Sequence, residues 1–247
     1  MQRQHREVSS SQPSPGVILD MWDDIFSQGY EEIVYIPMSS GLSGTCHNAI
    51  QMSLEYDGRV QVVDNHRISV TLKQSVLDAK YLAEQGYCAK QIKEELERTA
   101  YDSVIYVTVD SLEQLKKGGR ITPVVAALGS ALNIKPVLTI AGERLDVYSK
   151  GRGMKQCERK MIEAVQKAYE TQFKDYASDK IRIKVAGTMV DEKKGRRLAE
   201  SCRGCFLGNG GLLYSLVMQH CLSCGNRCCR YWNMLDIKIE RIMVFLL

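Results

Sequence analysis

The residues best placed to do chemistry sit in one short run, Met38-Ser39-Ser40-Gly41-Leu42-Ser43-Gly44-Thr45-Cys46. Ser39, Ser40, Ser43 and Thr45 supply hydroxyls. Gly41 and Gly44 leave backbone N–H groups open to approach. An apolar strand-like run precedes them and a helical pattern follows. Hydroxyls and free N–H groups gathered at a helix start suit a phosphate or a carboxylate. The run is not a Walker A loop, because it has no lysine. Nor is it a G-x-S-x-G nucleophile elbow, because Gly41-Leu42-Ser43-Gly44 has the wrong spacing. Ordinary turn and cap chemistry uses the same residue types, so both readings stand on this run alone.

Three other groups carry weaker signals. Ser10 and Ser11 lie in a Ser/Pro-rich loop before a helix, where solvated chain is the plain alternative. Arg120 follows the pair Gly118-Gly119, which permits a close backbone approach. Its guanidinium offers a fork of donors to a carboxylate, or simply faces water. The four histidines, His5, His47, His66 and His220, form no nucleophile–base pattern. There is no H-E-x-x-H run, no paired-carboxylate signature and no dinucleotide fingerprint, which lowers the expectation of an autonomous enzyme.

Nine cysteines are unevenly placed. Cys46, Cys88 and Cys157 are scattered. Cys202, Cys205, Cys221, Cys224, Cys228 and Cys229 crowd the last quarter. Cys202-x-x-Cys205 and Cys221-x-x-Cys224, fifteen residues apart, have ordinary zinc-site spacing.

The elements that must position these groups alternate. Pro15 to Gln28 reads as a helix that Gly29 stops, with Ser14 at its N-cap and Ile18, Trp22 and Ile25 on one face. Residues 31–40 read as a buried strand, and a helix restarts at His47. Residues 60–64 form a second strand. Helices follow over 70–87 and 90–101, then a strand over 103–109. This alternation predicts an α/β layer architecture with mostly parallel strands. Beyond it come short helices at 110–119 and 122–132. A hairpin over 134–140 and 145–150 follows, although Glu143-Arg144 is a poor turn signal. A long amphipathic helix spans 154–173, a strand 181–187, and a helix opens at Asp191.

The chain has 247 residues and a formal net charge of +4, from 33 Lys+Arg against 29 Asp+Glu. Basic and acidic residues interleave, so no phosphate-tracking stripe is present. No apolar run approaches the length of a membrane span. The first fifteen residues contain no apolar core of a signal peptide, so a cytoplasmic location with reduced thiols is expected.

The sequence resembles the DegV family of bacterial fatty-acid-binding proteins. The likeness is carried in order by SSQPSPG (10–16), SSGLSGT (39–45), VVD (62–64), DSLEQLKKGGRI (110–121) and ALNIKPVLTIAGERLDVYSKGRG (131–153), over roughly residues 9–195. The resemblance implies an α/β, two-domain fold. A parallel-sheet N-terminal domain would occupy 1–106 and a mixed-sheet C-terminal domain 107–247. It implies no catalysis by this chain and no cofactor or metal. The implied ligand is a long-chain fatty acid, and the implied partner is a separate fatty-acid kinase that makes the acyl phosphate. Transient membrane contact fits that role. Ser40 then becomes the first choice for the head-group hydroxyl, with Ser39 its near alternative. Ser10 stands where the family usually has threonine. Gly41, Ser43, Gly44 and Thr45 complete the loop, and Arg120 matches the family's arginine after the glycine pair. Burying an acyl chain yields ~0.8 kcal/mol per methylene. Its carboxylate then needs charge-assisted hydrogen bonds.

Two departures accompany the resemblance. Family members carry a strand and several tens of residues before the QPSP loop, so an incomplete first domain is expected. After about residue 195 the family pattern stops. Reading one base later across Asn226 to Met234 permits I-G-A-A-G-I-G-I, similar to the family's missing segment, which makes the tail from about 196 a shifted frame. Two other classes compete with the leading reading. One is a zinc- or nucleic-acid-binding protein built on the tail cysteines. The other is a serine-dependent α/β enzyme using Ser40 or Ser43.

Overall fold

The computed structural model describes residues 10–128, 134–140, 144–187, 213–218 and 241–246. The chain divides into two compact units, and the change falls between Tyr101 and Asp102.

The first unit opens with α1, Pro15–Ser27. Proline suits the first helical position, where its missing N–H is no loss. Ser14 holds the N-cap position in an extended conformation, but its hydroxyl makes no capping bond. Ile18 and Trp22 form the buried face of α1. The Trp22 ring meets Tyr35 and Tyr56 edge-on, at centroid distances of 5.4 and 5.5 Å. Edge-to-face pairs of this kind add to the burial of the rings themselves.

Strand β1, Ile33–Tyr35, runs parallel to β2, Val60–Val62, with Ile33 opposite Val60 and Tyr35 opposite Val62. Between them lies α2, Thr45–Ser53, followed by one 3-10 turn over Leu54–Tyr56. Asp57 and Gly58 then take positive φ angles of 51° and 80°. Two further helices, α3 (Ser69–Glu84) and α4 (Ala89–Arg98), bury Ala79, Leu82, Ile92 and Leu96 against Val63. The strand expected over 31–40 is thus three residues long. Pro37 cannot donate to a ladder, and the loop beyond Tyr35 bonds to other partners. Helix α2 starts at Thr45, two residues before the expected His47.

The second unit contains β3 (Ser103–Thr108), α5 (Glu113–Lys117), α6 (Pro123–Ala127), β4 (Ile134–Ile140), β5 (Leu145–Arg152), α7 (Met154–Thr171), β6 (Ile181–Gly187), β7 (Leu213–Met218) and β8 (Arg241–Leu246). Its sheet is mixed, in the order β5-β4-β3-β8-β6-β7. The β4–β5 hairpin and the β3–β4 pair are antiparallel, whereas β8 runs parallel between β3 and β6. Helix α7 packs Cys157, Met161, Val165 and Ala168 against Val137, Ile181 and Ile183. A Cβ on Gly151 would stand 2.7 Å from the Cys157 Sγ, so glycine permits this close approach of strand and helix. Strands β7 and β8 arise from the tail, where the sequence reading placed no regular element. The helix expected from Asp191 lies outside the described residues.

Candidate functional site

The run of hydroxyls forms the connection from β1 to α2. Ser39 is buried, at 1% exposure. Its N–H donates to the Arg67 carbonyl at 3.0 Å. Its own carbonyl accepts from the N–H groups of Leu42 and Ser43 at 3.0 and 3.1 Å. These bonds close a tight turn with Ser40 and Gly41 at its tip. The apolar anchor is Leu42, which is buried. The Ser40 N–H donates to Asp64 Oδ1 at 3.3 Å, while the residue itself stays exposed. Its hydroxyl has no hydrogen-bond partner among the described residues.

Ser43 and Thr45 build the entry to α2. Their hydroxyl oxygens lie 2.9 Å apart, and the Thr45 N–H donates to Ser43 Oγ at 3.2 Å. Ser43 thereby satisfies one of the open N–H groups at the helix start. The Asn48 N–H reaches the Gly44 carbonyl at 3.1 Å. Neither the Gly41 nor the Gly44 N–H has an acceptor among the described residues. These two donors, the Ser40 hydroxyl and the positive end of α2 make a setting for a small anion.

Asp64, two residues beyond the end of β2, accepts from this loop at Ser40. Both the loop and Asp64 follow the carboxyl ends of parallel strands, where open α/β sheets bind ligands. The Asp64 N–H donates to Glu97 Oε1 at 3.0 Å. Lys93 ion-pairs with Glu97 and also donates to the Val62 carbonyl at 2.6 Å. The His66 Nδ1 lies 3.7 Å from Asp64 Oδ1, and its ring stacks on Tyr101 at 5.6 Å. Cys46, at the start of α2, is fully buried. Burial, and then the Asp64 charge, push the Cys46 thiol up to about 12. It is a neutral donor at ordinary pH and not a nucleophile. Burial, with a smaller contribution from Cys46, also raises Tyr35.

Ser10 is exposed in the extended segment before α1. Its segment meets the loop through Gln12: a Cβ on Gly44 would stand 2.8 Å from Gln12 Oε1. Arg120 belongs to the second unit. Its guanidinium donates to the Gly118 carbonyl, and its backbone N–H bonds the Leu115 carbonyl at 3.2 Å. The glycine pair serves this local fold. Gly119 takes a φ of 67°, and a Cβ on Gly118 would lie 3.2 Å from both Arg120 Nη1 and the Gln114 carbonyl. The close approach expected of these glycines is therefore made by the neighbouring chain itself.

The structure thus gathers Ser39, Ser40, Gly41, Ser43, Gly44 and Thr45 in one turn, with Gln12 against it. Gln12, Cys46, Asp64 and Arg67 were not among the site residues expected from the sequence, although Cys46 closes the hydroxyl run and Gln12 and Asp64 fall in runs that carry the family resemblance. Asp64 was visible as the polar residue ending an apolar strand. Arg67 gave no signal, since its contribution to the loop is a backbone carbonyl. Among the described residues no group of three or more His, Cys, Asp and Glu is arranged to hold a metal. The six tail cysteines lie outside the described residues. None of the described helices is long and apolar enough to cross a membrane.

The fold and loop together define an α/β protein with an anion-suited turn at the carboxyl ends of its parallel strands. Residues 1–207 match the family described as uncharacterised proteins of the DegV family, and the chain belongs to that family. A DegV domain-containing protein of Deinococcus radiodurans is 36% identical over 159 residues, which cover 64% of this chain and 56% of the relative. One from Streptococcus pneumoniae is 32% identical over 188 residues, covering 76% of this chain and 65% of the relative. The chain therefore spans little more than half to two thirds of these relatives' own lengths. Among solved structures, it is similar to a Thermus thermophilus DegV family protein described by its fatty acid binding. That match has 29% identity and a TM-score of 0.68, and covers 88% of this chain and 74% of the other. The likeness to DegV of Bacillus subtilis, at 24% identity and a TM-score of 0.64, extends to the fold.

Proposed function

We propose that this protein binds a long-chain fatty acid and presents its carboxylate to a partner kinase. The observation that carries the reading is Ser40: an exposed hydroxyl without a hydrogen-bond partner among the described residues, at the tip of a turn whose backbone is fixed on both sides. Ser39, the alternative, is buried and already bonded through its backbone. The Gly41 and Gly44 N–H groups supplement the hydroxyl, with Ser43 and Thr45 shaping the helix entry. Ser10 is proposed as a second hydroxyl, on the segment that Gln12 brings to the loop. Arg120 is proposed as a residue that orders the head group or meets the kinase, the two roles that the family resemblance implies. The role is binding, with the chemistry done by the kinase. The fatty acid binding described for the Thermus thermophilus relative supports the ligand class.

Lipid extraction after native mass spectrometry of the purified protein tests this. A co-purifying long-chain acid, lost or exchanging faster in Ser40→Ala, is expected. Removing one hydrogen bond to a charged group costs about 1.5–3 kcal/mol, or roughly tenfold to a hundredfold in affinity. Unchanged retention in Ser40→Ala would sink the head-group assignment.

The shifted-frame reading of the tail is a separate proposal, supported by the family match stopping at residue 207. Against it stand β7 and β8, which the tail contributes to the second sheet. Sequencing the gene from source DNA decides the matter. One intact frame encoding the tail as printed ends the proposal.

A further inference from the structure

We propose that Asp64 is a positioning residue for the head-group turn: its carboxylate fixes the Ser40 backbone N–H and so aims the Ser40 hydroxyl. This rests on the proposed role of Ser40 in carboxylate binding.

The Ser40 N–H at the tip of the turn donates to Asp64 Oδ1 at 3.3 Å. Ser39, one residue earlier, is fixed separately by its bond to the Arg67 carbonyl at 3.0 Å. With both N–H groups tied, rotation of the peptide planes on either side of Ser39 is restricted, and the Cα–Cβ direction of Ser40 follows. A turn tip lacking the second tie keeps its backbone freedom, which must then be lost on binding.

Asp64 is itself braced. Its N–H donates to Glu97 at 3.0 Å, and the Lys93 that pairs with Glu97 holds the Val62 carbonyl at 2.6 Å. Helix α4 thus clamps the end of β2 on both sides of Val63. The Cys46 thiol, buried at the start of α2, feels the Asp64 charge, which adds to the rise that burial gives it. Asp64 therefore ties the turn tip through its carboxylate and α4 through its own backbone N–H. It is an acceptor that orients donors. It is not a group suited to touch an anionic ligand, because like charges repel.

The test separates orientation of the head group from general folding. Binding of hexadecanoic acid and of 1-hexadecanol is measured by displacement of a fluorescent fatty acid. The parent chain is compared with Asp64→Ala, Asp64→Asn and Ser40→Ala. Asp64→Ala is expected to weaken acid binding about tenfold while changing alcohol binding less than about twofold. Asp64→Asn keeps an acceptor oxygen and is expected to restore most of the acid affinity. In the unmodified protein, the Ser40 amide is expected to exchange slowly with solvent despite its exposed position, a readout that requires no variant to fold. Equal loss of acid and alcohol in Asp64→Ala, or an unprotected Ser40 amide, overturns the proposal. If Ser40→Ala weakens acid binding and Asp64→Ala does not, only the positioning role fails. If Ser40→Ala has no effect, the head-group reading fails and the positioning role with it.

Discussion

Replacing Gly44 by alanine separates the stability of the first unit from the geometry of its turn. Gly44 has φ −67° and ψ −8°, in the right-handed helical region that alanine adopts freely. Substitution there stabilises by about 0.4–1 kcal/mol, through lost freedom of the unfolded chain. The new Cβ would stand 2.8 Å from Gln12 Oε1 and 3.8 Å from Gln12 Cδ. That is roughly half an ångström inside ordinary contact. The obstacle is the far end of an exposed, flexible side chain, so relief costs about 0.5–1.5 kcal/mol in displaced torsions. The two effects nearly cancel. The thermal midpoint is expected to move by less than about 8 °C, the shift that ~1 kcal/mol produces in a unit of this size. The carboxamide of Gln12, however, must leave the turn, and Ser10 lies two residues away on the same segment. Fatty-acid affinity is expected to fall threefold to tenfold, about one neutral hydrogen bond. Thermal melts and displacement of a fluorescent fatty acid measure the two quantities. Adding Gln12→Ala to Gly44→Ala removes the clash, so the pair should show a non-additive stability. A midpoint loss well beyond 8 °C, or additive behaviour of the pair, would refute the claim that a side-chain tip is all that alanine displaces.

Three further perturbations test the burial that the structure shows. Cys46, Tyr56 and Tyr106 are each raised to about 12, by burial first and by neighbouring groups second. Above the ordinary values of 9.0 and 10.0 the unfolded chain releases protons that the folded chain keeps. Their contribution to stability is therefore complete below about pH 9 and is lost as pH climbs toward about 12. Urea midpoints should fall across that alkaline range and fall less in Cys46→Ala; a midpoint independent of pH contradicts the burial argument. Among the described cysteines, iodoacetamide should label exposed Cys88 and spare buried Cys46 and Cys157, as peptide mass mapping would show. Arg67 is buried, and its guanidinium donates to the Thr99 carbonyl at 2.6 Å and to Ser75 Oγ at 3.3 Å. Arg67→Met takes the donor from the Thr99 carbonyl, while Ser75 Oγ keeps Asn65 as a donor at 2.7 Å, and should cost about 2–4 kcal/mol in urea unfolding; a loss below about 0.5 kcal/mol would show that water replaces the guanidinium.

Local signals in the sequence foretold most elements and misjudged those that depend on distant partners. Pro15 and Gly29 bounded α1 because proline and glycine act through their own backbone. The β4–β5 hairpin was legible from two apolar runs despite the poor turn signal of Glu143-Arg144. The apolar run over 31–40 promised a long strand. It pairs with β2 only over Ile33–Tyr35, because the next residues bond Arg67 and Asp64 instead. Strand β8 shows the stronger limit. Arg241–Leu246 inserts between β3 and β6, more than fifty residues from either. Periodicity within a segment cannot report such a pairing. The crowded cysteines nearby drew the reading toward metal or frame, away from the apolar runs beside them. At the turn, residue types announced the hydroxyls. The grouping of Gln12, Cys46 and Asp64 around them needed the parallel pairing of β1 and β2.

The turn divides its polar groups by task, and that division follows from where the chain needs rigidity. Ser39 and the Ser40 N–H are used up in fixing the backbone. Ser43 is used at the helix entry. Among the described residues, the Ser40 hydroxyl and the Gly41 and Gly44 N–H groups are left over, all neutral donors, beside the start of α2. A lysine here would hold a carboxylate more strongly, but as an ion pair that covers its oxygens. It would also face Asp64 across the turn and be drawn toward that carboxylate instead. Neutral donors avoid this competition, because they carry no charge for Asp64 to attract, and Asp64 Oδ1 is already engaged by the Ser40 N–H. On the proposed reading, a fatty-acid carboxylate held by such donors keeps its charge and an accessible oxygen. A partner that must transfer a phosphoryl group to that oxygen requires both.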